Sequence, residues 1–114
     1  MPQGHRSFGL AVRESGRTLY LHVFGEFDLS GVGRVEKALD RLAEAPVPRL
    51  LVLDLHGLTF LDLAGLRTIL RANDRGRAEG FEVEVVRPAG TANRVFTLTR
   101  AGLELTMIDA PEVA

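Results

Sequence analysis

Three aspartates that follow apolar runs are the residues of this sequence best placed to do chemistry. Asp28, Asp54 and Asp62 each lie at or near the end of a predicted strand, where the ligands of α/β sheets tend to bind. Paired carboxylates at such an edge could transfer protons or hold a metal ion. They could instead be structural, with Asp28 and Asp62 capping helices and Asp54 accepting hydrogen bonds from loop amides. No base, nucleophile or oxyanion donor accompanies them, so we favour the structural role and predict neither an enzyme nor a cofactor.

The histidines and short motifs give no further support to a catalytic or metal site. His5, His22 and His56 are not at metal-ligand spacing, and the chain has no cysteine, so we expect no metal. P-loop, GxSxG and CxxC motifs are absent. The stretch "SGVG", residues 30–33, is too short to indicate a phosphate-binding loop, and we interpret Ser30 as a helix cap.

Length and charge favour one globular domain. The chain has 114 residues, of which 46% are hydrophobic and 25% charged, with a net charge of -1; this suits one domain with one core. It offers no basic field for a nucleic acid, so we expect no nucleic-acid partner. No segment resembles a signal peptide or a bilayer-length apolar run. We therefore expect a cytoplasmic protein without direct membrane insertion.

Hydrophobic periodicity predicts the elements of the first half of the chain. Two runs of alternating apolar residues flank the turn-forming residues 14–17, which predicts an opening β-hairpin. Apolar residues then recur at helical spacing from Val32 to Leu42, and Pro46 and Pro48 would end that helix. The alternating residues of the hairpin are Phe8, Leu10 and Val12, followed by Leu19, Leu21 and Val23.

The second half alternates strands and helices. "RLLVLDL" predicts a central strand and "HGLTF" a loop, and a helix runs from Asp62 to about Glu79 with Gly80 after it. "FEVEVV" predicts a strand, "TANRVFTLTRAG" a short helix ending at Gly102, and "LELTMID" a last strand. This order predicts a small mixed sheet, with an antiparallel opening hairpin, parallel strands and helices mainly on one face.

The segment "FLDLAGLRTIL", residues 60–70, combines an aspartate and a glycine at the start of the second predicted helix. Asp62 can accept hydrogen bonds from the N–H groups near Ala64 and Gly65, which contributes about 1 kcal/mol. Gly65 would allow another backbone to approach closely. Position 64 lies at the positive end of the helix dipole, so it would suit a phosphorylated side chain, yet it holds alanine.

Three stretches together resemble the STAS domain, the fold of bacterial anti-sigma factor antagonists. They are "GEFD" at 25–28, "LVLDLHGLTFLDLAGL" at 51–66 and "RAEGFEVEVVRP" at 77–88. The resemblance covers roughly residues 8 to 109. It implies a single STAS-like domain over residues 1–114, with a core of about residues 8–109.

The resemblance also implies a partner and a switch. In this family the segment is usually Asp-Ser-Ser/Thr-Gly-Leu, and the hydroxyl residue before the glycine is phosphorylated by the partner, an anti-sigma factor that is a GHKL-type serine kinase. The unphosphorylated form binds that partner and frees the sigma factor. Ala64 occupies the phosphoacceptor position and cannot be phosphorylated, and Leu63 also departs from the pattern. The resemblance implies that the partner binds at Asp28, Asp62, Gly65 and Leu66. We add the two departing residues, Leu63 and Ala64, to this predicted partner-binding surface.

Leu63 has two interpretations. The inward stripe of the helix consists of Leu66, Ile69 and Leu70, so we expect Leu63 to face solvent and to contact a partner. Alternatively, Leu63 packs under the preceding loop. Another hydroxyl could in principle replace the missing one, but Ser30, Thr59 and Thr68 are not expected to do so.

Other functions remain open at this point. STAS-like subunits also occur on ABC-type lipid transporters, and a diverged domain could act as a scaffold, as a small-molecule sensor or as a weak nucleotide binder. An exposed edge strand would in addition allow a weak homodimer.

Overall fold

The computed structural model describes residues 8–44 and 48–110. His5 and Pro46 lie outside these residues. Two short 3-10 segments, Gly90–Asn93 and Ala101–Leu103, flank the third helix. In chain order, the strands and helices are β1 Gly9–Ser15, β2 Thr18–Phe27, α1 Leu29–Glu44, β3 Leu50–Asp54, β4 Leu58–Leu61, α2 Leu63–Glu79, β5 Glu82–Val86, α3 Arg94–Leu98 and β6 Thr106–Ile108.

The strands form one mixed sheet in the order β1-β2-β3-β5-β6. β1 and β2 are the predicted antiparallel hairpin, and the other pairs are parallel. β2 is long enough to pair with two strands in succession. Its first half, Thr18 to His22, pairs with β3, and its last residues, Gly25 to Phe27, pair with β4. The predicted mixed sheet is thus confirmed.

β4 corrects the prediction that "HGLTF" is a loop. Leu58 and Leu61 are buried, whereas Thr59 and Phe60 between them are exposed. A run of four residues carries too little periodicity to be recognised as a strand. The backbone of this run nevertheless finds a partner, because the far end of β2 extends beyond β3.

One face of the sheet carries the core, as predicted. Leu21, Leu53 and Val85 occupy one row of neighbouring strands, and each is at most 2% exposed. The helices cover this face with the residues of one cluster, in which α1 contributes Val35 and Leu39, α2 Leu66, Ile69 and Ala72, and α3 Phe96. Because the helices bury the same face, the opposite face keeps polar side chains such as His22 and Asp54.

The hairpin is only partly covered by the helices. Leu10 and Val12 of β1 pair with Val23 and Leu21 of β2, so both apolar sets of the hairpin lie on the core face. The β2 residues are buried, but Leu10 is half-buried and Val12 is 53% exposed. The edge strand therefore leaves apolar surface beside α1.

The ends of the helices agree with the sequence in α2 and differ in α1 and α3. Gly80 ends α2 with a left-handed backbone, φ 89°, as predicted. Ser30 is not the cap of α1, because it lies inside the helix and its hydroxyl donates to Asp28, which also accepts the Ser30 amide at 2.9 Å. α3 ends at Leu98 and not at Gly102 as predicted; Gly102 lies in the 3-10 segment that follows, and Arg100 before that segment has a left-handed backbone, φ 64°.

No helix in residues 8–44 or 48–110 combines the length and the apolar character needed to cross a bilayer.

The packing of α2 on β5 generates a test of stability. A Cβ on Gly76 would lie 2.6 Å from the Phe81 carbonyl oxygen and 2.9 Å from Val83 Cγ2. We expect Gly76→Ala to lower the free energy of unfolding by about 2 kcal/mol, because backbone and core atoms must shift. Urea unfolding followed by circular dichroism measures the change.

The matched control is Gly33→Ala in α1. A Cβ on Gly33 would meet no atom within 4 Å, so this change should raise the free energy of unfolding by up to about 1 kcal/mol. Equal stability of the Gly76→Ala variant and the parent protein would contradict the close packing of α2.

Candidate functional site

The end of β2 and the start of α2 meet at one point of the molecule. Phe27 pairs with Leu61 across the parallel strands β2 and β4, and the Asp62 amide donates to the Phe27 carbonyl at 3.2 Å. Asp28 and Asp62 are the next residues of these two neighbouring strands. The structure therefore brings these two predicted site residues to the same edge of the sheet, each at the start of a helix.

Asp62 is the N-cap of α2, as predicted. Its backbone is extended and its Oδ1 accepts the Gly65 amide at 2.9 Å. The Asp62 carbonyl accepts the Leu66 amide at 3.0 Å, which closes the first helical turn. The carboxylate therefore satisfies a free N–H group and places negative charge at the positive end of the helix.

Gly65 makes the junction between strand and helix possible. A Cβ at this position would lie 2.9 Å from the Phe27 carbonyl oxygen and 2.7 Å from Leu61 Cδ1. Real Cβ atoms do not come this close to backbone oxygen, so the predicted close approach is confirmed. The glycine fixes how near the first turn of α2 lies to the end of β2.

Asp54 does not join the other two aspartates, which corrects the predicted cluster of three. Its Oδ2 lies 2.9 Å from His22 Nδ1, and its Oδ1 accepts the His56 amide at 3.0 Å. β3 ends beside His22 in the middle of β2, whereas β4 ends beside Phe27. The predicted hydrogen bond to a loop amide is present. Within the described part of the chain, no group of three or more His, Cys, Asp or Glu could hold a metal ion.

Two exposed leucines stand beside the two aspartates. Leu63, the first residue of α2, is 57% exposed, and Leu29, the first residue of α1, is 73% exposed. The predicted solvent exposure of Leu63 is confirmed, so Leu63 does not pack under the preceding loop. Leu29 was missed by the sequence analysis, although a signal exists, because the Asp-Leu pair after β4 repeats the Asp-Leu pair after β2. We call Asp28, Leu29, Asp62, Leu63 and Ala64 the Asp-Leu surface.

Leu66 is not part of the Asp-Leu surface. The sequence placed it both in the inward stripe of this helix and among the partner-binding residues; its side chain is 4% exposed and belongs to the core cluster, which confirms the inward position. Gly65 is also buried. The helical period explains both positions, since the first turn presents Leu63 outward and turns Leu66 onto the sheet. Leu66 therefore packs in the core beneath the first turn of α2.

The hydroxyl side chains near position 64 differ in accessibility. Thr68 is fully buried, and its hydroxyl donates to the Ala64 carbonyl at 3.0 Å. Ser30 is exposed, but its hydroxyl is bound to Asp28. Thr59 is exposed in β4. None of these three hydroxyls occupies the first turn of α2, where Ala64 lies.

Solved structures of other proteins share this fold. A crystal structure of an anti-sigma factor antagonist from Mycobacterium paratuberculosis is 24% identical, with a TM-score of 0.76 over 91% of this chain and 87% of that chain. The anti-sigma factor antagonist SpoIIAA in its unphosphorylated form is 23% identical, with a TM-score of 0.76 over 91% of this chain and 90% of its own. The phosphorylated form of the Bacillus cell fate determinant SpoIIAA is 21% identical, with a TM-score of 0.72 over 91% and 93%.

No curated protein sequence is similar enough to this chain to count as a match. The model of the STAS domain family, in contrast, matches residues 10–112. This match includes all of the strands and helices except Gly9, the first residue of β1, and it includes both aspartates of the Asp-Leu surface. The chain therefore belongs to the STAS domain family.

Proposed function

We propose that this STAS protein is a non-catalytic regulator that binds a GHKL-type serine-kinase anti-sigma factor in the cytoplasm and thereby releases a sigma factor. The proposal is supported by the likeness in fold to anti-sigma factor antagonists. The observation that carries it is the exposure of Leu29 and Leu63, each next to an aspartate at a helix N-terminus.

The Asp-Leu surface has the character of a binding surface. Large apolar side chains that stay exposed on either side of a rigid junction gain free energy when a partner covers them, up to about 2 kcal/mol for Leu63. The first turn of α2 is held by Asp62 and Gly65, so little ordering is needed on binding. Asp28 and Asp62 supply negative charge that would orient a partner.

Ala64 determines how this surface would be regulated. A phosphate at position 64 would add a charge of about -1.5 to -2 in the first turn of α2, close to Asp62. The added negative charge would repel a partner that binds the unphosphorylated surface. Alanine has no oxygen that could accept the phosphate. The protein would therefore stay in its binding state, and the buried Thr68 hydroxyl one turn later does not replace the missing one.

The first prediction from this proposed function concerns Leu63. Tagged protein is incubated with lysate of the native host, a bound GHKL-type protein is identified by mass spectrometry, and its affinity is measured with purified components by calorimetry. Leu63→Asp should weaken binding by about tenfold or more, because an apolar contact is replaced by a third carboxylate. Leu98→Asp is the matched control, since Leu98 in α3 is 73% exposed and lies outside the Asp-Leu surface.

Equal affinities of the Leu63→Asp variant and the parent protein would contradict the proposed contact. Recovery of transporter components instead of a kinase-fold protein would point to the lipid-transport function of STAS subunits and would overturn the proposed sigma-factor pathway.

The second prediction concerns Ala64. With the identified kinase and radiolabelled ATP, Ala64→Ser should take up phosphate and leave the complex, whereas the parent protein should remain bound. Ala78→Ser controls for the substitution itself, because Ala78 is an exposed residue of the same helix. Phosphorylation of the parent protein, or its release by ATP, would show that another hydroxyl serves as the acceptor.

A further inference from the structure

A groove of about 450 Å³ runs between β1 and α1, apart from the Asp-Leu surface. Its volume falls within the range of sites that bind small ligands. Its floor is apolar, and its rim on α1 is basic. The floor consists of Leu10, Val12, Ala38 and Leu42, and the rim of Arg34, Lys37 and Arg41.

The strand that borders the groove is an edge strand of the sheet. β1 is the first strand of the sheet, and within the described residues it pairs with β2 alone. The N–H and C=O groups on its outer edge therefore have no strand partner among the described residues, and such an edge is the usual template for adding a strand. Val12, 53% exposed, marks the apolar surface that such a strand would cover.

The charges of α1 are sorted by direction. On the side that faces α2, Glu36 forms an ion pair with Arg71. Asp40 forms one with Arg75, and in each pair a guanidinium nitrogen lies 2.9 Å from a carboxylate oxygen. The acidic residues of this stripe are thus neutralised by α2. Neither of them forms an ion pair with the basic residues that line the groove.

The basic stripe keeps its charge. Lys37 and Arg41 form no ion pair with any residue in 8–44 or 48–110. Arg34 lies over the ring of Phe8 at 5.1 Å and also has no carboxylate partner in that part of the chain. The groove therefore combines a free strand edge, an apolar floor and a rim of uncompensated positive charge.

We propose that this groove binds an extended, acidic, amphipathic segment of a partner protein, which joins the sheet as a strand beside β1. Its backbone would pair with the free edge of β1, and every second side chain would point to the core face of the sheet. On that face the segment would carry both kinds of side chain, apolar ones that cover Val12 and Leu42 and carboxylates that reach Lys37 and Arg41. This binding site is formed by other residues than the Asp-Leu surface and would work alongside it.

Two other occupants fit the charges less well. A second copy paired through its own β1 would bring two identical basic rims side by side, which is repulsive. Residues 1–7 of this chain include His5 and Arg6 and no acidic residue, so they do not complement the rim. An acidic segment of a different protein fits both the floor and the rim.

The test uses a probe peptide of the length of β1, seven residues, with capped ends, in which valine and glutamate alternate on one face of the strand and threonine fills the other face. Binding to the full chain is followed by NMR, and amide shifts are expected for β1 and for the middle of α1 but not for the first turn of α2. The double variant Lys37→Glu/Arg41→Glu should weaken binding by about tenfold or more, since two attractions become repulsions. Raising the salt concentration should weaken binding to the parent protein.

Matched controls distinguish the effect of the charges beside the groove from the effects of net charge and of strand pairing. The pair Arg67→Glu/Arg94→Glu makes the same change in net charge at exposed residues outside the groove and should leave binding unchanged. A peptide with lysine in place of glutamate should not bind. A peptide interrupted by proline should not bind either, because proline cannot donate to the ladder.

Several outcomes would overturn the proposal. The first group concerns the probe peptide: no binding, equal binding by the Lys37→Glu/Arg41→Glu variant, or shifts confined to the Asp-Leu surface. The second group concerns the other occupants: a dimer without peptide in sedimentation with NMR shifts in β1, or NMR contacts from residues 1–7 to Val12. Failure of the Leu63→Asp prediction would leave this result untouched, because the peptide assay does not involve the kinase-fold partner.

Discussion

The contact of Gly65 with the carbonyl of Phe27 is the constraint on which the rest of the site depends. A hydrogen in place of a side chain lets the first turn of α2 lie against the end of β2, and the Asp62 amide then donates to the same carbonyl. One backbone oxygen is thus shared by a hydrogen bond and a close packing contact. Asp28, which follows Phe27 directly, is thereby held beside the start of α2.

The exposure of the leucines follows from this junction. Once Asp62 caps α2 and Leu66 is turned into the core, the helical period leaves Leu63 on the outside. Asp28 accepts the Ser30 amide at the start of α1, and Leu29 is left outside in the same manner. The two helix starts therefore present the same pair of side chains, and a partner that covers one can cover the other. This shared arrangement is the physical basis of the proposed function.

α1 separates the two surfaces proposed to bind partners. Its N-terminus borders the Asp-Leu surface, its acidic stripe is neutralised by α2, and its basic stripe borders the groove beside β1. The ion pairs between the helices are largely exposed, so they add little to stability. Their effect is on direction, because they leave the positive charge of α1 on the side of the groove alone.

The sequence by itself determined the alternation of strands and helices, the mixed sheet and the roles of Asp62, Gly65 and Gly80, because these depend on local period, capping and backbone freedom. It also determined that position 64 lacks a hydroxyl. Only the tertiary structure decided that β4 is a strand, that Asp54 lies with His22 and apart from Asp28, and that the two Asp-Leu pairs lie side by side. These features depend on which part of β2 each later strand reaches and on which side of a helix meets the sheet. Contacts between residues far apart in the chain set both, and no local pattern records them.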